Sequence, residues 1–360
     1  MKYNVGDCLG IYAHNDRERV LGFCDQLGVG AKSLIRLEDT QDRKEPLPGV
    51  ISASQLFTEV LDVFGKPSRR FYETLAIAAD NESDREELLW MLTKDGNSKL
   101  RELTDETVTY ADLLTRYPTK KLSLDYLLDH IPRIKPRLYS IASASEMHGE
   151  MLHLCIVKND WTTPSGAYHV GLCTNYLQAL SRDGAPVDLV ASRVNGAGIT
   201  IPETNAHPCV MVGLGTGIAP FRAMVQDREV ARTRGESVGP MALFFGARYR
   251  RTDFTYGDEF EDYHSGGKGV LSVLSTAFSR DQAHKIYVQN RISEYPEVIY
   301  DYLGRKNGYF YLCGPAGNVP TAVRQAVVDS FVSAGGHSPA EAEKIVTQMQ
   351  IEGRYNVEAW

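Results

Sequence analysis

The sequence predicts an antiparallel β-barrel carrying an α-helical insertion, followed by an α/β domain built on a parallel sheet. Two observations carry this. Helical periodicity fills residues 50–130 between two blocks, 1–49 and 131–203, that are rich in short strand-like runs and turns. From 204 to 360 apolar runs alternate with amphipathic stretches, the pattern of helices packed on a parallel sheet. At 360 residues the chain has room for about two or three domains of roughly 100–200 residues.

Taken in order, residues 9–12 and 33–37 read as short strands separated by turn-rich segments. Ser52 followed by Gln55 reads as a capping box, after which Leu56, Val60 and Phe64 fall at helical spacing. Leu75, Ala76 and Ala79, then Leu88, Leu89 and Met91, then Leu113, Leu114, Leu127 and Leu128 continue helical patterning to about 130. Residues 139–142, 152–157 and 187–190 return to strand-like runs between Gly, Pro and Asp turns. In the last block, 209–212, 241–245, 285–288 and 309–312 read as strands. A helix bearing Ile218, Phe221 and Val225 follows the first of them. Another bears Val319, Val323, Val327 and Phe331 on one stripe and closes at Gly335-Gly336. Ser338-Pro339-Ala340-Glu341 opens the final helix, with Pro at its first turn.

Composition narrows the function classes. With 43% hydrophobic and 24% charged residues the chain has an ordinary globular make-up. No apolar run approaches the roughly 20 residues of a membrane-spanning helix. Residues 1–7 hold no apolar segment, so no signal peptide is expected. A net charge of −7 without basic tracts argues against nucleic acid. The six cysteines lack paired spacing, which argues against a metal site and against a disulfide framework and points to a reducing compartment.

The chemistry-bearing turn is Gly213-Leu214-Gly215-Thr216-Gly217, between an apolar strand and an amphipathic helix. Backbone amides and the positive helix end suit a diphosphate there, with Gly215, Thr216 and Gly217 nearest to it. The spacing is G-x-G-x-G rather than G-x-G-x-x-G, and a plain tight turn is the alternative. Arg248 follows a strand at the ligand edge of an open sheet, and Ser279-Arg280 follows another apolar segment. Lys285, Tyr287 and Gln289 recur with period two, which on a strand puts them on one face. Cations and a hydroxyl around a pocket suit a phosphate; a solvated strand edge is the alternative.

Five motifs occur in order: Arg137-Leu138-Tyr139-Ser140-Ile141-Ala142-Ser143, Gly171-Leu172-Cys173-Thr174, the Gly-rich turn running to Ala219-Pro220, Ser279-Arg280, and Cys313-Gly314-Pro315, before an aromatic chain end at Trp360. In this order they resemble the ferredoxin–NADP reductase superfamily. The helical insertion selects its diflavin branch, which includes microsomal NADPH–haemoprotein reductases and the sulfite reductase flavoprotein. The resemblance implies an FAD-binding β-barrel at 1–49 and 131–203, a connecting helical insertion at 50–130, and an NADP(H)-binding α/β domain at 204–360. It implies FAD and NADP(H) as cofactors and hydride transfer between them. The partner would be an electron acceptor bearing FMN, haem or an iron–sulfur centre.

The same resemblance assigns roles. Arg137 would meet the flavin diphosphate with a bidentate guanidinium, joined by the helix start at Gly171, Leu172, Cys173 and Thr174. Tyr139 would stack on the isoalloxazine, and Ser140 would hydrogen-bond near N5. Cys155, Val157 and Trp161 would complete the flavin contacts, Trp161 against adenine; ordinary packing is the alternative for the aromatics. Arg248, Ser279, Arg280, Lys285, Tyr287 and Gln289 would take the 2′-phosphate side of NADP(H). Cys313 and Glu358 would position the nicotinamide, with Glu358 one methylene longer than the Asp common in this branch; a buried small hydrophobe is the alternative for the thiol. Trp360 would cover the flavin face; a frayed terminus is the alternative.

Two departures accompany the resemblance. No flavodoxin-like domain precedes the motifs, and Lys2-Tyr3-Asn4-Val5-Gly6-Asp7 resembles a string that normally follows the first barrel strands. A barrel lacking its first strands is therefore expected, as in a piece of a larger protein such as the pyruvate:NADP oxidoreductase type. The competing functions are a free-standing reductase of a ferredoxin or flavodoxin carrier, and a catalytically silent nucleotide-binding subunit. The expected location is the cytoplasm or an organelle matrix.

Overall fold

The computed structural model describes residues 2–37, 49–180, 187–195, 199–265 and 269–360. The strands, in chain order, are β1 (Cys8–Ile11), β2 (Leu34–Arg36), β3 (Val50–Ser52), β4 (Arg137–Ser140), β5 (Asp160–Thr162) and β6 (Tyr168–Val170). They continue with β7 (Ala191–Val194), β8 (Cys209–Leu214), β9 (Met241–Ala247), β10 (Leu271–Phe278), β11 (Tyr309–Gly314) and β12 (Tyr355–Ala359). The chain forms two compact units. The first joins Met1–Gly10, Leu138–Ile156 and Ser192–Trp360; the second joins Ile11–Arg137 and Val157–Ala191.

The first unit is built on a parallel five-stranded sheet in the order β10-β9-β8-β11-β12. Its central strands are apolar throughout because both faces are covered. Val210 and Val212 of β8 pack with Phe244, Phe310, Leu312 and the helix residues Val323, Val327 and Phe331. Cys209 and Met211, one residue out of phase, pack on the opposite side with Leu243, Phe245, Phe221 and Phe260. The order runs outward from β8 to β9 and β10, then returns to β11 and β12. The chain therefore reverses direction between β8 and β11, and the crevice at such a switch point is where open α/β sheets bind ligands. Most of a three-stranded sheet in the order β4-β1-β7 belongs to the same unit.

The second unit is mostly helical. Arg69–Ala78, Glu82–Met91, Tyr110–Arg116 and Leu124–His130 each start at a side chain that accepts an amide hydrogen bond: Ser68, Asn81, Thr109 and Ser123. Such caps matter because helices this short are marginal on their own. Ser52 and Gln55 do form the expected capping box, and the helix they open continues with π-type bonding over Leu56–Val60. Phe57, Phe71, Leu75, Leu88, Met91, Tyr110 and Leu113 form the core. Two antiparallel hairpins, β2-β3 and β5-β6, complete it.

Several expected elements differ. Residues 152–157 form no strand, and only an isolated bridge from Ile141 to Leu154 marks them. The strand expected at 187–190 lies at Ala191–Val194 instead. Residues 285–288 are not a strand: Val288–Ser293 is a helix. Asn290 accepts the Tyr287 N–H at 2.9 Å, and Val288 and Ile292, four apart, are both buried. A cap and an i,i+4 apolar pair thus override the apparent alternation. The helix Arg17–Gln26, the strand β10 and the strand β12 were not expected at all.

Candidate active site at the sheet switch point

The Gly-rich turn leaves β8 at Leu214, makes one tight turn over Gly215–Ile218, and enters the helix Ala219–Thr233 with Pro at its start. Its glycines do two different jobs. Gly215 sits at φ +54°, a conformation that only glycine adopts without strain, and a Cβ there would meet nothing within 4 Å. That position is open, as an approaching phosphate requires. At Gly217 a Cβ would lie 2.2 Å from the Cys313 carbonyl oxygen and 3.1 Å from Trp360 Cη2. Gly217 therefore admits protein, the end of β11, rather than a ligand. Thr216 is half-buried between them.

Beside this turn β11 ends in Cys313, which sits opposite Gly213 of β8 on one side and Glu358 of β12 on the other. The Cys313 thiol is fully buried and lies 3.7 Å from Glu358 Oε2, within range of a weak S–H···O hydrogen bond. Burial pushes the Cys313 thiol well up, and the Glu358 charge pushes it the same way. It is therefore a neutral donor. Burial also raises the Glu358 carboxyl above its usual range, against the opposing pull of the thiol hydrogen bond. Ser140, at the end of β4, places Oγ 3.8 Å from Cys8 Sγ on β1. The Cys8 thiol is raised by burial, lowered by the Ser140 hydroxyl, and raised by the charges of Glu358 and Asp7. Ser140, Cys8, Cys313 and Glu358 thus form one electrostatic neighbourhood. Cys8 is the member that sequence reasoning missed; its only local signal is its place directly after Gly6-Asp7.

Trp360 is not a frayed end. Its N–H donates to the Gly314 carbonyl at 3.2 Å, and its own carbonyl accepts from the Ala316 N–H at 2.9 Å. The indole edge rests against Gly217, while 59% of the residue is exposed.

A cationic rim lies at the C-terminal ends of β9 and β10. The Ala247 carbonyl accepts from the Ser279 N–H at 3.0 Å, and the Arg248 carbonyl accepts from the Arg280 N–H at 2.9 Å. Ser279 also turns its hydroxyl toward the Ala247 carbonyl at 3.4 Å. Arg248, Ser279 and Arg280 are therefore neighbours, with both guanidinium-bearing residues exposed. Lys285 and Tyr287 lie exposed in the irregular segment before Val288–Ser293, and Gln289 lies in the first turn of that helix. The shared strand face expected for these three does not exist.

Tyr139 is half-buried on β4, and Cys155 is half-buried near Tyr256 and Arg222. The remaining expected residues belong to the second unit. Arg137 is exposed and donates to the Lys135 carbonyl at 2.8 Å. Trp161 stacks on His169 with centroids 5.7 Å apart and donates from Nε1 to Thr107. The helix Leu172–Leu180 starts after Gly171 and buries Cys173, and Thr174 Oγ1 accepts from the Asn159 N–H at 3.3 Å. Val157 is exposed.

A family model described as an FAD binding domain matches residues 1–176, and one described as an oxidoreductase NAD-binding domain matches 211–323. The whole chain aligns with the NADPH–cytochrome P450 reductase of Drosophila melanogaster at 30% identity, covering 54% of that protein. It also aligns over its whole length with the probable sulfite reductase [NADPH] flavoprotein component of Schizosaccharomyces pombe, at 32% identity and 35% coverage. The chain belongs to the diflavin reductase family. The mitochondrial pyruvate dehydrogenase [NADP(+)] of Euglena gracilis matches as well, at 35% identity over all of this chain and 19% of the relative. The chain thus spans between about a fifth and about half of these relatives. FAD and NADP(H) are the cofactors of this diflavin reductase segment. Among its described residues no helix is long and apolar enough to cross a membrane, and no His, Cys, Asp and Glu cluster could hold a metal ion.

The raised Glu358 carboxyl gives this chain a pH signature. The folded state holds that proton more tightly than the unfolded chain, whose carboxyl has the ordinary value of 4.5. The linked stability is complete below about pH 4.5 and is lost as pH rises through the raised folded value. Glu358→Gln cannot ionise and keeps an oxygen to accept from Cys313. Its melting temperature is expected to match wild type below about pH 4.5 and to exceed it above, the gap widening until pH passes the raised folded value and then staying constant. Parallel melting curves at all pH values would show that Glu358 is not held in a desolvated site.

Proposed function

We propose that this chain is an FAD-dependent NADPH oxidoreductase module that passes electrons onward to an acceptor bearing FMN, haem or an iron–sulfur centre. FAD, when bound, accepts two electrons as hydride and releases them one at a time. One observation carries the reading. At the reversal of the sheet, the Cys313–Glu358 pair, Ser140 and an open Gly215 turn converge in one compact unit. A neutral thiol donor and a partly desolvated carboxylate suit a ring that becomes cationic as hydride leaves it. Tyr139 and Ser140 supply a flat face and a hydroxyl for the flavin, while Arg137, Gly171, Leu172, Cys173 and Thr174 supply phosphate-binding groups. Trp161, Val157 and Cys155 supply further flavin contacts. Arg248, Ser279, Arg280, Lys285, Tyr287 and Gln289 supply the groups for the 2′-phosphate.

The reading includes a β-barrel over 1–49 and 131–203, a connecting insertion over 50–130, and an NADP(H) domain over 204–360. It places the protein in a reducing compartment, cytoplasm or organelle matrix. The purified chain, reconstituted with flavin where necessary, is expected to hold one non-covalent FAD and no FMN. Anaerobic NADPH should bleach its visible spectrum. A chain that takes up FAD yet is not reduced by NADPH would refute the oxidoreductase reading and favour a silent nucleotide-binding subunit.

A further inference from the structure

The helix that starts at the Gly-rich turn carries three buried polar side chains, Arg222, Gln226 and Arg228. Arg222 and Gln226 lie one turn apart on Ala219–Thr233 and are 7% and 1% exposed. Both reach the segment that follows Ser140. Arg222 Nη1 donates to the Ala142 carbonyl at 2.7 Å, and Gln226 Oε1 accepts from the Ala144 N–H at 3.1 Å. Glu259, on the helix Gly257–His264, closes the arrangement: Oε2 accepts from Arg222 Nε and Oε1 from Gln226 Nε2, both at 2.7 Å. The guanidinium lies 4.4 Å from the Tyr256 ring centroid, and Nη1 also reaches His153 Nδ1 at 3.0 Å. Arginine only donates, so that nitrogen must accept and His153 is neutral. Burial, with the nearby His148 and Arg222 charges, holds the His153 imidazole below its usual range, consistent with this.

The other groups of the segment bond elsewhere. The Ile141 N–H goes to the Asp7 carbonyl, the Ala142 N–H to the His153 carbonyl, and Ser143 Oγ to Tyr3. The Ala142 carbonyl and the Ala144 N–H each meet one end of the Arg222–Gln226 pair. An ion pair between a buried guanidinium and a half-buried carboxylate, with fixed hydrogen-bond directions, contributes less to stability than to geometry. What it fixes here is the offset between the Gly215–Gly217 turn at the start of the helix and the Ser140 hydroxyl two residues before Ala142.

We infer that Arg222, Gln226 and Glu259 are positioning residues that hold the nicotinamide-binding turn in register with the flavin-binding strand, so that they set the rate of hydride transfer without binding either cofactor. This rests on the function proposed above. A misplacement of about 1 Å at a reacting pair can cost roughly a hundredfold in rate, so a small slip of this helix is enough.

The test compares Arg222→Met, Arg222→Lys and Gln226→Met with wild type in the full chain loaded with FAD. Single-turnover flavin reduction at saturating NADPH is expected to slow at least about tenfold in Arg222→Met and less in Arg222→Lys, which keeps one donor for Ala142. The NADPH concentration at half-saturation and the flavin content should stay near wild type. Independently of activity, amide hydrogen exchange of a peptide covering 141–146 should quicken in the flavin-free Gln226→Met protein, which leaves the Ala144 N–H without its acceptor. Faster exchange with an unchanged reduction rate would make the contacts structural only and overturn the inference. So would a weakened NADPH affinity with unchanged reduction at saturation. If Arg222→Met does not fold, Gln226→Met decides by itself, and a wild-type reduction rate there overturns the proposal. A wild-type protein not reduced by NADPH would refute the proposed function instead, while the exchange result would still report on the contacts.

Discussion

Arg280→Ala is expected to lower kcat/KM for NADPH by roughly ten- to a hundredfold while changing the value for NADH less than about twofold. The reasoning starts from the chemistry of a phosphate monoester. It carries close to two charges at neutral pH, and each charge-assisted hydrogen bond to it contributes about 1.5–3 kcal/mol. Arg280 is exposed, at the C-terminal end of β10, and its backbone N–H is bonded to the Arg248 carbonyl. Solvent screening pulls an exposed contact toward the lower end of that range, and 1.4 kcal/mol already corresponds to a factor of ten. NADH lacks the phosphate and so has nothing to lose. Adding Arg248→Ala should cost more for NADPH only. The loss should shrink as salt rises, because screening weakens the wild-type contact too. Steady-state kinetics with both cofactors at two ionic strengths checks this. Equal wild-type efficiencies with NADPH and NADH would remove the 2′-phosphate from this rim.

The parts of this architecture that the sequence displays are those whose physics is local. β8, β9 and β11 stand out because a strand covered on both faces is an unbroken apolar run. β10 and β12 are the edges of the same sheet. Ser272, Ser275 and Thr276 dilute the first, while Asn356 and Glu358 dilute the second, and what holds β12 is parallel pairing with β11. No local pattern reveals a partner more than forty residues away. The helix Arg17–Gln26 was in principle legible: Asp16 accepts the Arg19 N–H, and Val20, Phe23 and Cys24 follow at helical spacing. At 285–289 two patterns competed, and the period of two was the weaker because Asn290 supplied a cap.

For the candidate site, the sequence nominated residues but carried no signal of how they are arranged. Cys313 and Glu358 become opposite each other only through strand register. Cys8 reaches Ser140 across 132 positions, a distance at which a single sequence carries no signal. Gly217 was expected to make room for a ligand. Its neighbours are the Cys313 carbonyl and the Trp360 ring instead, so the last glycine of the turn is a protein-packing requirement at the point where β8, β11 and the chain end meet.

Trp360→Ala is expected to lower the NADPH/NADH ratio of kcat/KM by at least about threefold, with a gain for NADH and a slower turnover for NADPH. The substitution isolates the ring. Both backbone hydrogen bonds of residue 360, to Gly314 and from Ala316, survive in alanine, whereas deletion of the residue would break them. The ring itself is mostly exposed and touches Gly217 at its edge. An indole kept in water at a chain end gains little unless it covers a flat group, and aromatic stacking adds about 0.5–1.5 kcal/mol beyond simple burial. A nicotinamide that must take its place forgoes that energy. NADH, with no 2′-phosphate to anchor it, is limited by this competition and gains roughly two- to tenfold when the ring is gone. NADPH is already anchored at Arg280, so its capture improves less, and the oxidised product, no longer displaced by the indole, leaves more slowly. Single-turnover reduction and steady-state turnover separate the two effects: with NADPH the first should hold or rise while the second falls. An unchanged cofactor ratio would assign the indole to packing against Gly217 alone.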